Sequence, residues 1–212
     1  MSTSLTIPAV EHLEAPWKNG GGTTLEIASD PPGARASEPF LWRLSAATVA
    51  VSGPFSRFPG HRRSLMLFEG DGIDLTFDEG GPQQLREPYA IAEFDGARET
   101  HGELVGGSIR DINLIADAEL VHVTFEPETF PFGTATSMCG WEPQAATVLV
   151  LGLAGSIEVY TADAEAVLGP LDLFRYEHGS DENGDIQVVR ASDEGAVLMI
   201  ALDLRRPQDL GC

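Results

Sequence analysis

Apolar and polar residues alternate along much of the chain with the two-residue period of half-buried strands. Clear examples are Ile73-Asp74-Leu75-Thr76 and Ile157-Glu158-Val159-Tyr160. Helical periodicity is almost absent, and 23 glycines and 14 prolines interrupt the chain at short intervals. The pattern therefore predicts an all-β protein of many short strands. The predicted strands are residues 40–51, 64–69, 73–77, 89–94, 108–115, 119–125, 147–153, 157–161, 166–168, 172–176, 186–190 and 196–204.

The chain also contains a weak internal repeat. When Leu65-Met66-Leu67 is placed over Leu149-Val150-Leu151, Ile73-Asp74-Leu75 falls on Ile157-Glu158-Val159. Each copy runs as a strand, a glycine-containing turn, a strand, a loop, a proline-containing turn and a further strand. This order is typical of a small jelly-roll barrel of the cupin type. Two copies predict a bicupin, that is, two consecutive cupin-like barrels; the alternative is a single larger β-sandwich.

The predicted barrels would occupy residues 1–118 and 119–212, which is a common domain size. The net charge is −20, and residues 111–212 carry −14 of it. We therefore expect the acidic second barrel to be structural and the first barrel to hold any ligand pocket. A chain this acidic is repelled by nucleic acid and by anionic membranes. No apolar run approaches the ~18 residues that a membrane-spanning helix needs.

Only two cysteines are present, Cys139 and Cys212, and they lie far apart. This is neither a disulfide framework nor a zinc ribbon, so we expect two free thiols. The N-terminus has no basic stretch followed by a long apolar one, so no secretion signal is visible. These observations predict a cytoplasmic protein.

The histidines do not form a metal-binding pattern. No two of the five lie within five residues of each other, and two arginines follow His61 directly. A cupin metal site needs three or four ligands converging on one point, commonly including a His-x-His pair. No nucleophile elbow or phosphate-binding P-loop is present either. We therefore expect no metal, no cofactor and no catalytic residue of these kinds.

The least ordinary segment is Trp17-Lys18-Asn19-Gly20-Gly21-Gly22, which contains the only lysine of the chain. Three consecutive glycines are costly in backbone entropy. They are useful where the backbone must closely approach a ligand or another strand; the alternative is a flexible turn. Further along, Glu26 alternates with aliphatic neighbours, which places it on one face of a strand.

Two further segments carry arginines in unusual company. One is Trp42-Arg43-Leu44-Ser45, and the other runs from Gly53 to Arg63 through several aromatic and proline residues. In a chain this acidic, Lys18, Arg43 and Arg63 can form a local positive site for a carboxylate or phosphate. The alternative for each arginine is a surface ion pair.

These segments together resemble the HutD/Ves family. The resemblance rests on Trp17-Lys18-Asn19-Gly20-Gly21-Gly22, Trp42-Arg43-Leu44-Ser45, Gly53-Pro54-Phe55-Ser56-x-Phe58-Pro59-Gly60-x-x-Arg63, and Phe94-Asp95-Gly96 followed by Arg110-Asp111-Ile112-Asn113-Leu114. It implies a bicupin fold and a ligand pocket in the first barrel. HutD members are encoded with histidine-utilisation genes and are thought to bind a pathway intermediate, N-formylglutamate. Ves members are associated with cold or stress responses.

The resemblance implies a ligand-binding set in which lysine and arginine hold the anion, polar side chains donate hydrogen bonds and aromatic rings form an apolar wall. Glu26 would bind an N–H group of the ligand or orient an arginine, and the glycines would permit close backbone approach. The predicted ligand-binding residues are Trp17, Lys18, Asn19, Gly21, Glu26, Arg43, Ser45, Ser56, Phe58, Arg63 and Asn113.

The predicted function is a non-catalytic, small-molecule-binding bicupin that serves histidine utilisation as a regulatory or accessory protein. Its expected partner is a small anionic metabolite bearing a carboxylate. The sequence does not decide whether the protein forms a homodimer. One alternative is a metal-free enzyme, an isomerase or hydrolase of a small carboxylate or sugar-like substrate, with Glu26 or His61 as acid or base. The others are a stress-associated Ves-type protein and a structural module whose acidic barrel faces a basic partner.

Overall fold

A computed structural model describes residues 2–17, 20–130, 135–138, 147–178 and 186–204. The predicted all-β character is confirmed, since these residues form 17 strands and one short 3-10 helix, Ala9–Glu11. The strands are β1 Thr3–Ile7, β2 Leu13–Pro16, β3 Gly22–Asp30, β4 Trp42–Val49, β5 Gly53–Pro54, β6 His61–Glu69, β7 Ile73–Phe77, β8 Gln83–Leu85, β9 Ile91–Asp95, β10 Thr100–Leu104, β11 Ile109–Asp117, β12 Val121–Phe130, β13 Ala135–Met138, β14 Thr147–Tyr160, β15 Glu165–Leu168, β16 Leu173–Glu177 and β17 Ile186–Leu204. Within the described ranges, no helix is long and apolar enough to cross a bilayer.

Some predictions fall outside these ranges. They concern Lys18 and Asn19 of the glycine segment and the cysteines Cys139 and Cys212. Two pairs of predicted strands are single strands in the structure. Residues 147–153 and 157–161 both belong to β14, and residues 186–190 and 196–204 both belong to β17.

The chain folds as two compact units, Leu13–Val121 and Met1–His12 with His122–Cys212. The division at residue 121 lies close to the predicted one, but the first twelve residues belong with the C-terminal half. There β1 pairs antiparallel with β16, and the Ala9 N–H donates to the Asp172 carboxylate over 2.7 Å. Only pairing between distant residues decides this, so the local sequence pattern could not have predicted it.

The unit Leu13–Val121 consists of two facing sheets. The six-stranded sheet has the order β2-β3-β4-β11-β6-β9, and the four-stranded sheet has the order β5-β10-β7-β8. Apolar residues of both sheets meet in one core, including Leu65 and Leu67 of β6 and Ile73 and Leu75 of β7. In the residues that can be described, these sheets stay open, so the predicted barrel is not closed.

The second unit repeats the pairing of the first. Its seven-stranded sheet has the order β1-β16-β14-β17-β12, with β13 on β17 and β15 on β14. The first half of β14 pairs with β16 and β17, as β6 pairs with β9 and β11. The second half of β14 pairs with β15, as β7 pairs with β8. The repeat found in the sequence is therefore a repeat of strand connectivity.

The glycine segment brings two strands unusually close together. A Cβ at Gly22 would lie 2.1 Å from the carbonyl oxygen of Thr48 on β4. The preceding turn is closed by the Gly20 N–H, which donates to the Trp17 carbonyl over 3.0 Å, and Gly20 has a φ of +71°. The neighbour that the backbone approaches at Gly22 is therefore another strand.

We expect Gly22→Ala to destabilise the protein by about 1–3 kcal/mol or more, because the new methyl group would meet backbone that cannot move aside. Urea unfolding followed by circular dichroism measures the change. Gly81→Ala is the matched control, since a Cβ there meets nothing within 4 Å. Equal unfolding midpoints for the two variants would contradict this account of β3 and β4.

Candidate functional site

Strand register gathers the polar residues of the first unit on one face of the six-stranded sheet. Ser45 of β4 lies opposite Asn113 of β11, while Arg43 of β4 and Arg63 of β6 both lie opposite Ile115 of β11. Opposed residues of antiparallel strands, and alternate residues of one strand, share a face. The two arginines therefore flank Ile115 on the side of the sheet that faces the core.

A cavity of about 440 Å³ lies over these residues. Its size is ordinary for a small-molecule site, for which about 300–1,000 Å³ is typical. The end of β2 and the segment that follows β5 cover the sheet face. The cavity is lined by Pro16, Trp17, Thr24, Ala36, Arg43, Ser45, Ala47, Pro54, Phe55, Ser56, Phe58, Arg63, Asn113 and Ile115.

Most of the predicted ligand-binding residues are brought together here. Those that line the cavity are Trp17, Arg43, Ser45, Ser56, Phe58, Arg63 and Asn113. Gly21 instead lines a neighbouring cavity of about 160 Å³, which shares Trp17 and Phe55 with the first. Glu26 does not line the main cavity but contacts Arg43 beside it. The placement fits the prediction, and ligand binding by these residues stays a prediction.

Arg43 is held by Glu26 in a two-point ion pair. The Arg43 Nε donates to Glu26 Oε2 over 2.7 Å, and Nη2 donates to Oε1. The arginine side chain is 7% exposed and the glutamate side chain 34%. The paired carboxylate fixes the plane of the guanidinium and balances its charge. Of the two predicted roles for Glu26, this geometry matches the one in which it orients an arginine.

Arg63 is surrounded by aromatic rings. Its Cζ is 5.3, 5.7 and 5.2 Å from the ring centres of Phe55, Phe58 and Phe94, within the range of cation–π attraction. Phe55 fits there because a Cβ at Gly102 would lie 2.6 Å from its ring. The rings exclude water from the charge and interact favourably with it.

The buried guanidinium is tied to a buried acid through one amide. Arg63 Nη2 donates to Asn113 Oδ1 over 2.6 Å, and Asn113 Nδ2 donates to Asp111 Oδ1 over 2.6 Å. Arg63 Nη1 also donates to the Ser56 carbonyl over 3.2 Å. Asp111 is completely buried behind the cavity wall. Within the described part of the protein, Arg63 Nε and Asp111 Oδ2 are buried without a hydrogen-bond partner.

Burial changes the ionisation of both charged groups. It raises the pKa of Asp111 to about 7, although the charge of Arg63 and the hydrogen bond from Asn113 oppose the rise. Burial lowers the pKa of Arg63 to about 10; Asp111 opposes this and Arg43 adds to it. Arg63 is therefore a cation at neutral pH, whereas Asp111 is then partly protonated and balances that cation incompletely.

Several lining residues were not predicted from the sequence. Phe55 belongs to the same motif as Phe58, but only the tertiary structure shows that both rings reach Arg63. Asp111 does not line the cavity, but its position could have been predicted from the sequence, because it is two residues from Asn113 on one strand and so shares its face. Arg110, which precedes Asp111 in the motif, faces the other way and pairs with Glu69.

The described residues contain no cluster of three or more His, Cys, Asp or Glu side chains that could hold a metal ion. His61 packs against Phe40, with 4.6 Å between the ring centres, and does not line the cavity. His12 belongs to the second unit, where its ring interacts with the Leu171 carbonyl. Whether the native protein lacks a metal stays a prediction.

The fold and the site define a class: two consecutive cupin-like units, the first with an arginine-lined cavity. The fold matches that of an oxalate decarboxylase with a TM-score of 0.68 over 94% of this chain and 77% of that one, at 8% identity. The predicted bicupin fold is thereby confirmed. The model of the HutD family matches residues 9–199, and the chain belongs to this family.

Two relatives are similar in sequence, and the second of them has a solved structure of similar fold. A 21.2 kDa protein encoded in the hutC 3′ region of Pseudomonas putida is 35% identical over 183 residues, covering 86% of this chain and 90% of that one. The structure of HutD from Pseudomonas fluorescens SBW25, in a formate condition, is 31% identical with a TM-score of 0.73. That match covers 96% of this chain and all of the other.

The ionisation of Asp111 makes stability depend on pH. An unfolded aspartate loses its proton near pH 4, whereas folded Asp111 keeps it until about pH 7. Between these values the folded state binds more protons than the unfolded state, so Asp111 makes stability fall as pH rises. We expect Asp111→Asn to remove this contribution, which is at most roughly 1.4 kcal/mol per pH unit.

Urea unfolding at intervals from pH 4 to pH 8 measures the difference between wild type and variant. Glu126→Gln, which replaces an exposed acid of β12, is the control and should retain the wild-type pH dependence. The account is wrong if Asp111→Asn and wild type give parallel profiles.

Proposed function

We propose that this protein binds a small carboxylate-bearing metabolite in the arginine-lined cavity and acts without catalysing a reaction on it. The observation that carries the proposal is the pair of buried arginines, Arg43 and Arg63, 6% and 5% exposed, on one cavity wall. A protein of net charge −20 keeps both cations out of water at a considerable cost in solvation. A bound anion would offset that cost.

The charge balance around the two arginines points to the sign of the ligand. Glu26 matches the charge of Arg43, whereas Arg63 faces a partly protonated acid. The cavity at neutral pH therefore carries a net positive charge close to Arg63. Guanidinium groups bind carboxylates with paired hydrogen bonds, and such bonds are strong where water is excluded.

The remaining lining residues fit a small polar molecule with a short carbon chain. Ser45, Thr24 and Asn113 offer hydrogen-bonding groups, and Trp17 and Phe55 offer apolar surface. Trp17 is itself fixed by donating from Nε1 to Thr24 Oγ1 over 2.7 Å. N-formylglutamate combines carboxylates, an amide-like group and a short aliphatic chain, and we propose it as the ligand.

The proposed context is histidine utilisation, with the protein as a regulatory or accessory component in the cytoplasm. Support comes from membership of the HutD family and from the related Pseudomonas putida protein encoded beside hutC. Binding an intermediate without consuming it would let the protein respond to flux through the pathway. A stress-associated role of the Ves type is the alternative context.

A catalytic role is the second candidate, with Glu26 or His61 as acid or base. The geometry favours it less, because both oxygens of Glu26 accept from Arg43 and His61 does not line the cavity. A general acid or base must reach the substrate within hydrogen-bond distance.

Isothermal titration calorimetry with N-formyl-L-glutamate, formiminoglutamate, urocanate and glutamate tests the proposal. We expect N-formyl-L-glutamate to bind, and to be recovered unchanged after prolonged incubation with the protein. Conversion of any of the four compounds would favour the enzyme instead. Failure of all four to bind would refute the proposed function.

We expect Arg63→Lys to weaken binding by about 10- to 100-fold, because a charged hydrogen bond contributes roughly 1.5–3 kcal/mol and lysine cannot reproduce paired guanidinium contacts. Arg43→Gln should weaken binding too, and it leaves Glu26 without its cation. The matched control is Arg62→Ala, since Arg62 is exposed and its side chain points away from the cavity. Binding that is weakened equally by the control would count against an arginine site.

A further inference from the structure

The buried acid behind the cavity has no role in holding a ligand, yet it is linked to the residue that would. Asp111, Asn113 and Arg63 form one hydrogen-bonded chain, with 2.6 Å between donor and acceptor at each step. Asn113 and Arg63 line the cavity, whereas Asp111 lies behind them. A charge placed beside Arg63 is therefore felt by Asp111 through a short, water-free path.

Few other charges face Asp111. On the flanking strands, its opposed neighbours are Ala47 of β4 and Leu67 of β6, and both are apolar. Across the core, the inward residues of the four-stranded sheet are apolar or uncharged; they include Ile73, Leu75, Leu85, Thr100 and Gly102. The charged or titratable groups on its own side of the sheet, in the part of the unit that is described, are Arg63, Arg43, Glu26, which pairs with Arg43, and the opposed residues His61 and Asp117 at the far ends of β6 and β11.

The protonation of Asp111 is thus set by two opposing effects. Burial favours the neutral acid, whereas the positive charge of Arg63, together with the hydrogen bond from Asn113, favours the carboxylate. An anion bound to Arg63 would neutralise the effect of that charge and would add repulsion of its own. The neutral acid would then be favoured, and a proton would bind to Asp111 from solution.

We propose that anion binding at Arg63 and proton binding at Asp111 are coupled, so that the cavity takes up a proton together with its anion. The inference rests on the proposed function and adds to it a dependence on pH. Linkage requires the reverse effect as well, so protonation of Asp111 strengthens anion binding. Affinity is then highest in mild acid and falls above neutral pH by up to tenfold per pH unit for one coupled proton.

Calorimetry with N-formyl-L-glutamate at pH 7.5, in Tris and in HEPES, measures the coupled proton directly. The carboxylates of this probe are fully ionised at that pH. The two buffers differ in ionisation enthalpy, so the difference in observed heat gives the number of protons exchanged. We expect a net uptake of up to one proton per bound molecule, and no uptake near pH 5, where Asp111 already holds its proton.

Asp111→Asn keeps the size of the side chain and cannot titrate. We expect this variant to bind the probe with no proton exchange and with an affinity that no longer changes between pH 6 and pH 8. The exposed-acid variant Glu126→Gln should behave as wild type. A readout that needs no variant is infrared difference spectroscopy of wild type at pH 8, in which binding should add the carbonyl band of a protonated carboxyl group.

The outcomes separate this inference from the proposed function. Binding without proton uptake, or with equal uptake by wild type and Asp111→Asn, overturns the coupling and leaves the binding function standing. If the probe, the other three compounds titrated above and formate, the smallest carboxylate, all fail to bind, both are overturned. Proton uptake by wild type that disappears in Asp111→Asn supports both.

Discussion

The site depends on a single constraint, the presence of a guanidinium inside the apolar sheet interior. An unpaired buried charge is expensive, so its surroundings must compensate it. The compensation at Arg63 has three parts: the rings of Phe55, Phe58 and Phe94, a hydrogen bond to Asn113, and the charge of Asp111 beyond it. The compensation is incomplete, because burial also drives Asp111 towards its neutral form. This incomplete balance is the reason why we propose an anion as the ligand of the cavity.

The two arginines of the cavity have different electrostatic environments. Arg43 is balanced by Glu26, which is partly exposed, so that ion pair is complete without a ligand. Arg63 has only neutral hydrogen-bond acceptors and a distant acid. A ligand would gain more from Arg63, whereas Glu26 beside the cavity holds Arg43 in a fixed orientation.

Although the two units repeat the same strand connectivity, the buried arginines described above belong to the first unit. The repeat places Thr147 of the second unit where Arg63 stands in the first, and Thr147 donates to Glu177 over 2.6 Å. The core of the second unit, as far as it is described, is built from aliphatic and aromatic residues such as Val150 and Phe174. The same strand connectivity thus supports a polar, ligand-sized cavity in one copy and an apolar core in the other.

The sequence by itself determined the strand character, the duplication and the motifs of the site. Alternation of apolar and polar residues is a local property, as in Ile73-Asp74-Leu75-Thr76. Strands can therefore be predicted from it without any knowledge of the fold. The scarcity of basic residues made Arg43 and Arg63 conspicuous. Sequence could also place Asp111 beside Asn113, because a spacing of two fixes a common face.

The tertiary structure alone decided which partners these residues have. The ion pair of Arg43 with Glu26 depends on the register of β3 and β4, and the aromatic surround of Arg63 depends on the path of the segment after β5. The first twelve residues join the second unit through β16, more than 160 residues away. Register and long-range pairing arise from the packing of whole sheets, and the burial of Asp111 follows from that packing. None of these three properties can be predicted from the local pattern of apolar and polar residues.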